Sequence, residues 1–287
     1  MAEASFDNLL LRDFTEADIV AARRISAAVG WPHRHEDWLF AQRLGHGLVA
    51  ERDGAVIGTA LAWRYGDAAA SLGMVTVAPD HQRRGLGRLL MQRILETLSG
   101  RRVFLHASAA GVPLYRALGF RTAGAVRQYE GTAFWDGLAA LPPAERLRPL
   151  SRSDLDAVTA LDAKALGAPR QSIVAALIDE ARGVVLDRGG DAIGFAMLRR
   201  FGRGHVIGPV VAPDAVRARA LIGHWLGAQQ GLFIRIDVPD HAGLNAWLEE
   251  LGFASAGDVQ VMIRESAAPQ AACTETRRFA LLSQALG

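Results

Sequence analysis

Between residues 75 and 90 the chain reads as a strand, a glycine-bearing loop and a helix, and the loop has the chemistry of an anion site. Val75 and Val77 are β-branched, and Pro79 ends their run. From Leu86 onward, Leu86, Leu90, Ile94 and Leu98 recur at helical spacing. Between the two lies Gln82-Arg83-Arg84-Gly85-Leu86-Gly87. Two glycines two apart let the backbone come close to a ligand, because neither carries a Cβ. The loop also opens a helix, so unpaired N–H groups and the positive end of the helix dipole converge on one point. Arg83, Arg84 and Arg88 add positive charge around that point. A dinucleotide fingerprint needs G-x-G-x-x-G and a Walker loop needs G-K-[ST], and neither is satisfied. Taken by itself, the loop could still be an ordinary strand-to-helix turn with solvated arginines.

The elements that must position this loop follow from periodicity and turn chemistry. Leu9-Leu10-Leu11-Arg12 reads as a strand, and Thr15-Glu16-Ala17-Asp18 starts a helix in the manner of a capping box. That helix runs to about Val29, and a second ends near Gly45. Strands are expected at Gly47–Glu51, Val56–Tyr65 and Ala69–Val77, with Asp53-Gly54 and Gly66-Asp67 as turns. After the helix that follows the loop come a strand over Arg101–His106, a short helix from Ser108 to Leu118 stopped by Gly119, and a strand through about Tyr129. The order is β-α-α-β-β-β-α-β-α-β.

Composition narrows the class. Half of the 287 residues are apolar and 22% are charged, which suits a globular chain with a real core of one large or two ordinary domains. A net charge of +2 gives no reason to expect nucleic-acid binding. Cys273 is the one cysteine, so no intrachain disulfide is available. The first residues, Met1-Ala2-Glu3-Ala4-Ser5, lack the pattern of a signal peptide, and no apolar run reaches membrane-spanning length. A cytoplasmic enzyme without a membrane partner is the expectation. No His/Cys cluster has metal-ligand spacing, so no metal site is expected.

The loop and its setting resemble the acetyl-CoA pyrophosphate loop of the GNAT superfamily of N-acetyltransferases, Q/R-x-x-G-x-G/A after a V-x-P strand end. Gln82, Gly85 and Gly87 stand at its defining positions. The resemblance implies an α/β mixed sheet that splays after its fourth strand, with acetyl-CoA as cosubstrate lying in the splay. It implies a cofactor site made of Val75, Val77, Gln82, Arg83, Arg84, Gly85, Leu86, Gly87, Arg88 and Ser108. Leu114-Tyr115-Arg116-Ala117-Leu118-Gly119-Phe120 is similar to the family's L-Y-x-x-x-G-F, whose tyrosine lies near the CoA sulfur, so Tyr115 is the candidate acid. A phenol suits a departing thiolate because the two pKa values are comparable; a core tyrosine is the plain alternative.

Two departures from the family stand out. Ser108 occupies the place where many members carry Asn. The fourth strand, Ser71-Leu72-Gly73-Met74-Val75-Thr76-Val77, lacks the carboxylate that often serves as base. His33, His35 and His106 are then base candidates. Trp31, His33, Trp38 and Trp63 fall in the region that forms the acceptor site in the family, and Asp237 could meet a cationic acceptor or cap a turn.

After Leu141-Pro142-Pro143 the first half recurs. Leu11-Arg12, Gly54-x-x-Ile57-Gly58, Ala78-Pro79-Asp80 and Leu118-Gly119-Phe120 return as Leu147-Arg148, Gly190-x-x-Ile193-Gly194, Ala212-Pro213-Asp214 and Leu251-Gly252-Phe253, each about 135 residues later. Val216-Arg217-Ala218-Arg219-Ala220-Leu221 stands where the glycine loop was, and Leu248 where Tyr115 was. The expected architecture is a tandem GNAT fold: a catalytic module over residues 1–140 and a degenerate copy over 141–287 that walls the acceptor site. The expected function is transfer of acetyl from acetyl-CoA to a primary amine of a small molecule, by direct attack in a ternary complex, in a monomer or homodimer. The rivals are a protein lysine or N-terminal acetyltransferase and an acyl-CoA sensor without turnover.

Overall fold

The computed structural model describes residues 8–135, 137, 141–265 and 276–287. Cys273, the first seven residues and the expected module junction at residue 140 lie outside them. The first half gives β1 (Leu9–Asp13), α1 (Ile19–Ala28), α2 (His35–Leu44), β2 (His46–Arg52), β3 (Ala55–Tyr65), β4 (Ala69–Val77), α3 (Leu86–Glu96), β5 (Arg102–Ala107), α4 (Val112–Ala117) and β6 (Arg121–Thr132). This is the order read from periodicity and turns. The second half repeats it as β7 (Glu145–Pro149), α5 (Leu155–Leu166), α6 (Gln171–Glu180), β8 (Arg182–Arg188), β9 (Asp191–Phe201), β10 (Gly204–Ala212), α7 (Ala215–Ala228), β11 (Phe233–Pro239), α8 (Asn245–Glu250) and β12 (Ala254–Arg264), then adds β13 (Arg277–Ala280).

All the strands form one sheet, and its order shows how the halves are joined: β1-β2-β3-β4-β5-β12-β6-β11-β10-β9-β8-β7. The last strand of each half lies inside the other half. β12 runs antiparallel between β5 and β6, and β6 runs antiparallel between β12 and β11. Val126 pairs with Val259, and these are repeat equivalents, since each follows its Leu-Gly-Phe at the same distance. A pseudo-twofold therefore passes between them. The exchange covers edges that each half would otherwise leave open to pairing with other chains.

The cores agree with this joint construction. On one face α1 and α2 share a single apolar core with α5 and α6: Ile19, Ile25 and Trp38 belong to the same cluster as Val158, Ile173, Leu177 and Phe195. On the other face each half keeps its own core, around Leu90 and Ile94 of α3 and around Leu221 and Leu226 of α7. The halves are thus repeats in sequence and one body in space. Among the described residues no helix is long and apolar enough to cross a membrane.

Candidate active site

β4 and β5 are parallel neighbours only from Ala69↔Arg102 to Ser71↔Phe104, after which they diverge. A register shift in β4 leaves Met74 and Val75 without partners across β3. Met74 sits at φ +52°, a conformation unusual for a side-chain-bearing residue. Thr59 holds this bulge by donating its hydroxyl to the Met74 carbonyl at 2.7 Å. Leu72, Gly73, Met74 and Val75 line a cavity of about 640 Å³, as do Leu105, His106, Ser108 and Tyr115.

At the mouth of the splay the Gln82 amide donates to the Val77 carbonyl at 3.0 Å, tying the loop to the strand end. Gly85 precedes α3 at φ +82°, where a Cβ would be strained, and Arg83 is also left-handed at φ +60°. No side chain caps α3. A Cβ at Gly87 would meet protein atoms no closer than 3.5 Å, so packing within the chain does not demand a glycine there. The open space and the uncapped N–H groups fit a pyrophosphate.

The corresponding place in the second half is closed twice over. The Asp214 carboxylate accepts from Arg217 N at 2.9 Å, capping α7. β10 and β11 also diverge after two residue pairs, but β13 fills the gap, pairing with β10 from Val210 to Ala212, and Leu281 N donates to the Asp237 carbonyl at 2.9 Å. Calorimetric titration should therefore find one acetyl-CoA site per chain. Gly87→Leu should weaken binding at least tenfold while the melting temperature holds. Two equal sites, or unchanged affinity in the variant, would contradict this assignment.

Tyr115 lines the cavity, half-buried, and burial pushes its phenol up to about 12, so it remains protonated at neutral pH. His106 bonds through Nδ1 to the Gln284 carbonyl at 2.7 Å. A carbonyl only accepts, so Nδ1 carries the proton in the neutral ring and Nε2 is a bare acceptor. Among the described residues that Nε2 is buried without a hydrogen-bond partner. Burial drives the His106 imidazole down to about 3, and Arg278 adds to the effect. Burial likewise takes His33 down to about 4, against the pull of Asp37. His33 stands edge-on to Trp31, Trp38 and Phe201.

Both imidazoles are neutral across the working range and are weak proton acceptors. The activity–pH profile should therefore follow the acceptor amine and show no limb near 6.5, and His33→Gln and His106→Gln should leave its shape unchanged. For stability the sign is the reverse of a histidine that gains a partner: both folded pKa values lie below the unfolded one. The contribution is intact above about 6.5 and is lost as pH falls toward 4 and then 3.

Trp31 and His33 line the cavity. His35 opens α2 and does not. Trp63 does not either: it is wholly buried, donating Nε1 to the Ala41 carbonyl at 2.8 Å, and serves the core. Asp237 is buried and acts through Arg235, whose guanidinium donates to both its oxygens at 2.8–3.1 Å. The opposite wall comes from the second half and from residues 283–286: Arg199, Phe201, Arg203 and Arg235 from β9–β11, the 256–259 stretch of β12, and Ser283 to Leu286. Arg203 and Arg235 carry no sequence motif; Arg203 lies in the turn before β10, and Arg235 on β11 is paired with Glu130 of β6. Among the described residues no cluster could hold a metal ion.

A tandem GNAT fold with one open cofactor slot defines the class of protein. Comparison with known proteins agrees. The pattern of the acetyltransferase (GNAT) family matches residues 5–120, and that of an acetyltransferase (GNAT) domain matches residues 158–275. Over 221 residues, 76% of each chain, this sequence is 31% identical to YitH, an uncharacterized N-acetyltransferase of Bacillus subtilis (strain 168). A shorter match, 40% over 70 residues, covers 22% of this chain and 47% of the [ribosomal protein bS18]-alanine N-acetyltransferase of Salmonella typhimurium. Among solved structures, a Pyrococcus horikoshii acetyltransferase shares the fold at a TM-score of 0.79 and 22% identity, covering 99% of this chain and 97% of that one. A tandem GNAT protein from the clavulanic acid biosynthesis pathway does so at 0.64 and 16%, covering 91% and 100%. The chain belongs to the GNAT superfamily of N-acetyltransferases. It is an acetyl-transferring enzyme, of a family that generally uses acetyl-CoA.

Proposed function

We propose that the protein transfers acetyl from acetyl-CoA to the primary amine of a small molecule, by direct attack in a ternary complex, with residues 1–140 binding the donor and 141–287 walling the acceptor. The observation that carries this reading is a cavity lined by the β4–β5 splay and by residues of the second half, among them 283–286. A concave site of this size, with apolar and polar groups together in its lining, suits a small ligand. A polypeptide acceptor, such as the one named for the Salmonella relative, needs an open groove, whereas here residues 283–286 add to the lining of the cavity.

In this scheme the α3 loop holds the pyrophosphate, and the unpaired backbone of Val75 donates to the thioester carbonyl oxygen as it becomes an oxyanion. The neutral amine attacks the carbonyl carbon, and the C–S bond breaks as the intermediate collapses. The sulfur receives the Tyr115 hydroxyl proton, and the ammonium proton leaves through water. The bare Nε2 of His106 accepts a hydrogen bond from the amine and orients its lone pair. Thiol release across a panel of small amines, set against peptides with N-terminal alanine or lysine, tests this. Small amines should have kcat/KM at least tenfold higher. The reverse order would make the protein a peptide acetyltransferase, and no thiol release with any acceptor would favour a sensor.

A further inference from the structure

Resting on that reading, we propose that the acceptor amine carries a carboxylate, as an amino acid does, and that Arg199, seconded by Arg235, receives it in the cavity. The charges lining the cavity nearly all have their own partners. Asp37 is held by Arg34 through Nη2 at 2.9 Å and by the backbone N–H of Gly202 at 2.9 Å. Glu130 takes Arg203 at 2.5 Å, Asp258 takes Arg127 at 3.0 Å, and Arg235 holds Asp237. Among the described residues Arg199 is left over: its ion pair is with Asp37 at 3.7 Å, beyond hydrogen-bond reach, and its buried Nε has no hydrogen-bond partner. Its side chain is 8% exposed.

A buried cation that is not hydrogen-bonded is costly, and a carboxylate seated on it would relieve that cost. The surroundings favour a planar anion. The guanidinium lies over Phe40 at 5.2 Å and Phe201 at 4.7 Å, and Arg235 faces Phe201 from 5.3 Å. A guanidinium held by rings in this way offers a fixed fork that matches a carboxylate bidentately. Burial has also lowered the Arg199 guanidinium to about 10, which an arriving anion would reverse.

The repeat supplies an independent argument. Arg199 stands in β9 where Trp63 stands in β3, each buried two residues before the strand end. In the first half that slot is filled by an indole packed in the core. The fold therefore takes an apolar group there, and the arginine in the second half is not required for packing.

The test compares amino acids with their carboxamides as acceptors, by thiol release and, with CoA present, by thermal shift. The full-length protein should prefer the free acids by at least tenfold in kcat/KM and should be stabilised by them and not by the amides. Arg199→Met should erase the preference by raising KM for acids alone, without lowering the melting temperature. Arg199→Lys should recover it in part. Equal use of acids and amides, an unchanged ratio in Arg199→Met, or thermal shifts alike for both series with no turnover would overturn the carboxylate assignment. Efficient acetylation of amides would do so while leaving small-amine acetyl transfer intact. If Arg199→Met does not fold, the wild-type acid-to-amide ratio and shifts still decide.

Discussion

Tyr115→Phe should lower turnover by about 10²–10⁴-fold, the usual worth of general acid catalysis, and should leave acetyl-CoA affinity nearly unchanged. The substitution removes one hydroxyl and almost no contact area. The phenyl ring would still pack edge-on against Phe120, where the tyrosine ring now stands at 6.0 Å, and would still fill the space beside Gly111, whose Cβ position lies 2.8 Å from the tyrosine ring. What changes is the thiolate's fate. With burial holding the phenol near 12, the proton is present at every pH where the enzyme works. Its transfer becomes favourable as negative charge collects on sulfur in a poorly solvated site. Without it the thiolate must leave unprotonated or wait for water. Steady-state and single-turnover kinetics at saturating substrates, with calorimetry for the donor, separate these effects. A fall confined to kcat supports the acid role. Unchanged single-turnover rates would leave Tyr115 as a packing residue.

The contrast between what the sequence disclosed and what it hid has a physical basis. The strand, loop and helix around residues 75–90 are legible because their marks are contiguous: Gln82, Gly85 and Gly87 lie side by side in sequence, and Gly85 takes φ +82° just before α3. The repeat was readable because turn marks such as Gly54, Gly190 and the two Leu-Gly-Phe stops recur in register. The strand exchange was not, since β6 and β12 are equivalent strands and either could have paired at home. Nothing in their side chains states that Val126 will face Val259. Trp63 was read as an acceptor-site aromatic because an indole near a strand end carries no label for its face, yet its N–H finds Ala41 in the core. Asp237 looked available for a cationic acceptor, but Arg235 two residues earlier on the same strand face already occupies it. Laying the halves over each other puts Arg199 in the place of Trp63, an arginine where the first half has a tryptophan.

Arg170→Ala should cost about 3–5 kcal/mol of stability, the range for breaking a buried ion pair by removing one partner. Arg170 and Asp162 are both essentially without solvent contact, at 0% and 1% side-chain exposure. Arg170 donates through Nε and Nη2 to the two Asp162 oxygens at 2.7 and 2.8 Å. Its Nη1 donates to the backbone oxygens of Leu286 and Gly287 at 2.6 and 2.7 Å. Removing the guanidinium strands a buried carboxylate and takes one of the donors from the Leu286 and Gly287 oxygens, which keep the Tyr65 hydroxyl and Leu282 N; the carboxylate then bears a desolvation penalty that no new contact offsets.

The effect should reach the active site as well, because segment 281–287 is anchored at several points. Tyr65 donates its hydroxyl to the Leu286 oxygen at 2.7 Å, Ser71 donates to the Ala285 oxygen at 2.5 Å, and His106 holds the Gln284 carbonyl. Ser283 to Leu286 line the cavity, so loosening the anchor should raise KM for the acceptor more than for acetyl-CoA, whose loop at Gln82–Gly87 lies on α3. Urea denaturation should show a lower midpoint with the slope unchanged. The double change Arg170→Met with Asp162→Leu should recover most of the loss by replacing the pair with apolar volume, yet should not restore the acceptor KM, because the Arg170 donor to Leu286 and Gly287 is still missing. A loss below about 1 kcal/mol for Arg170→Ala, the level of a surface pair, would mean that water or a neighbouring side chain takes over Asp162, and the anchor would have to be sought at Tyr65 and Ser71 instead.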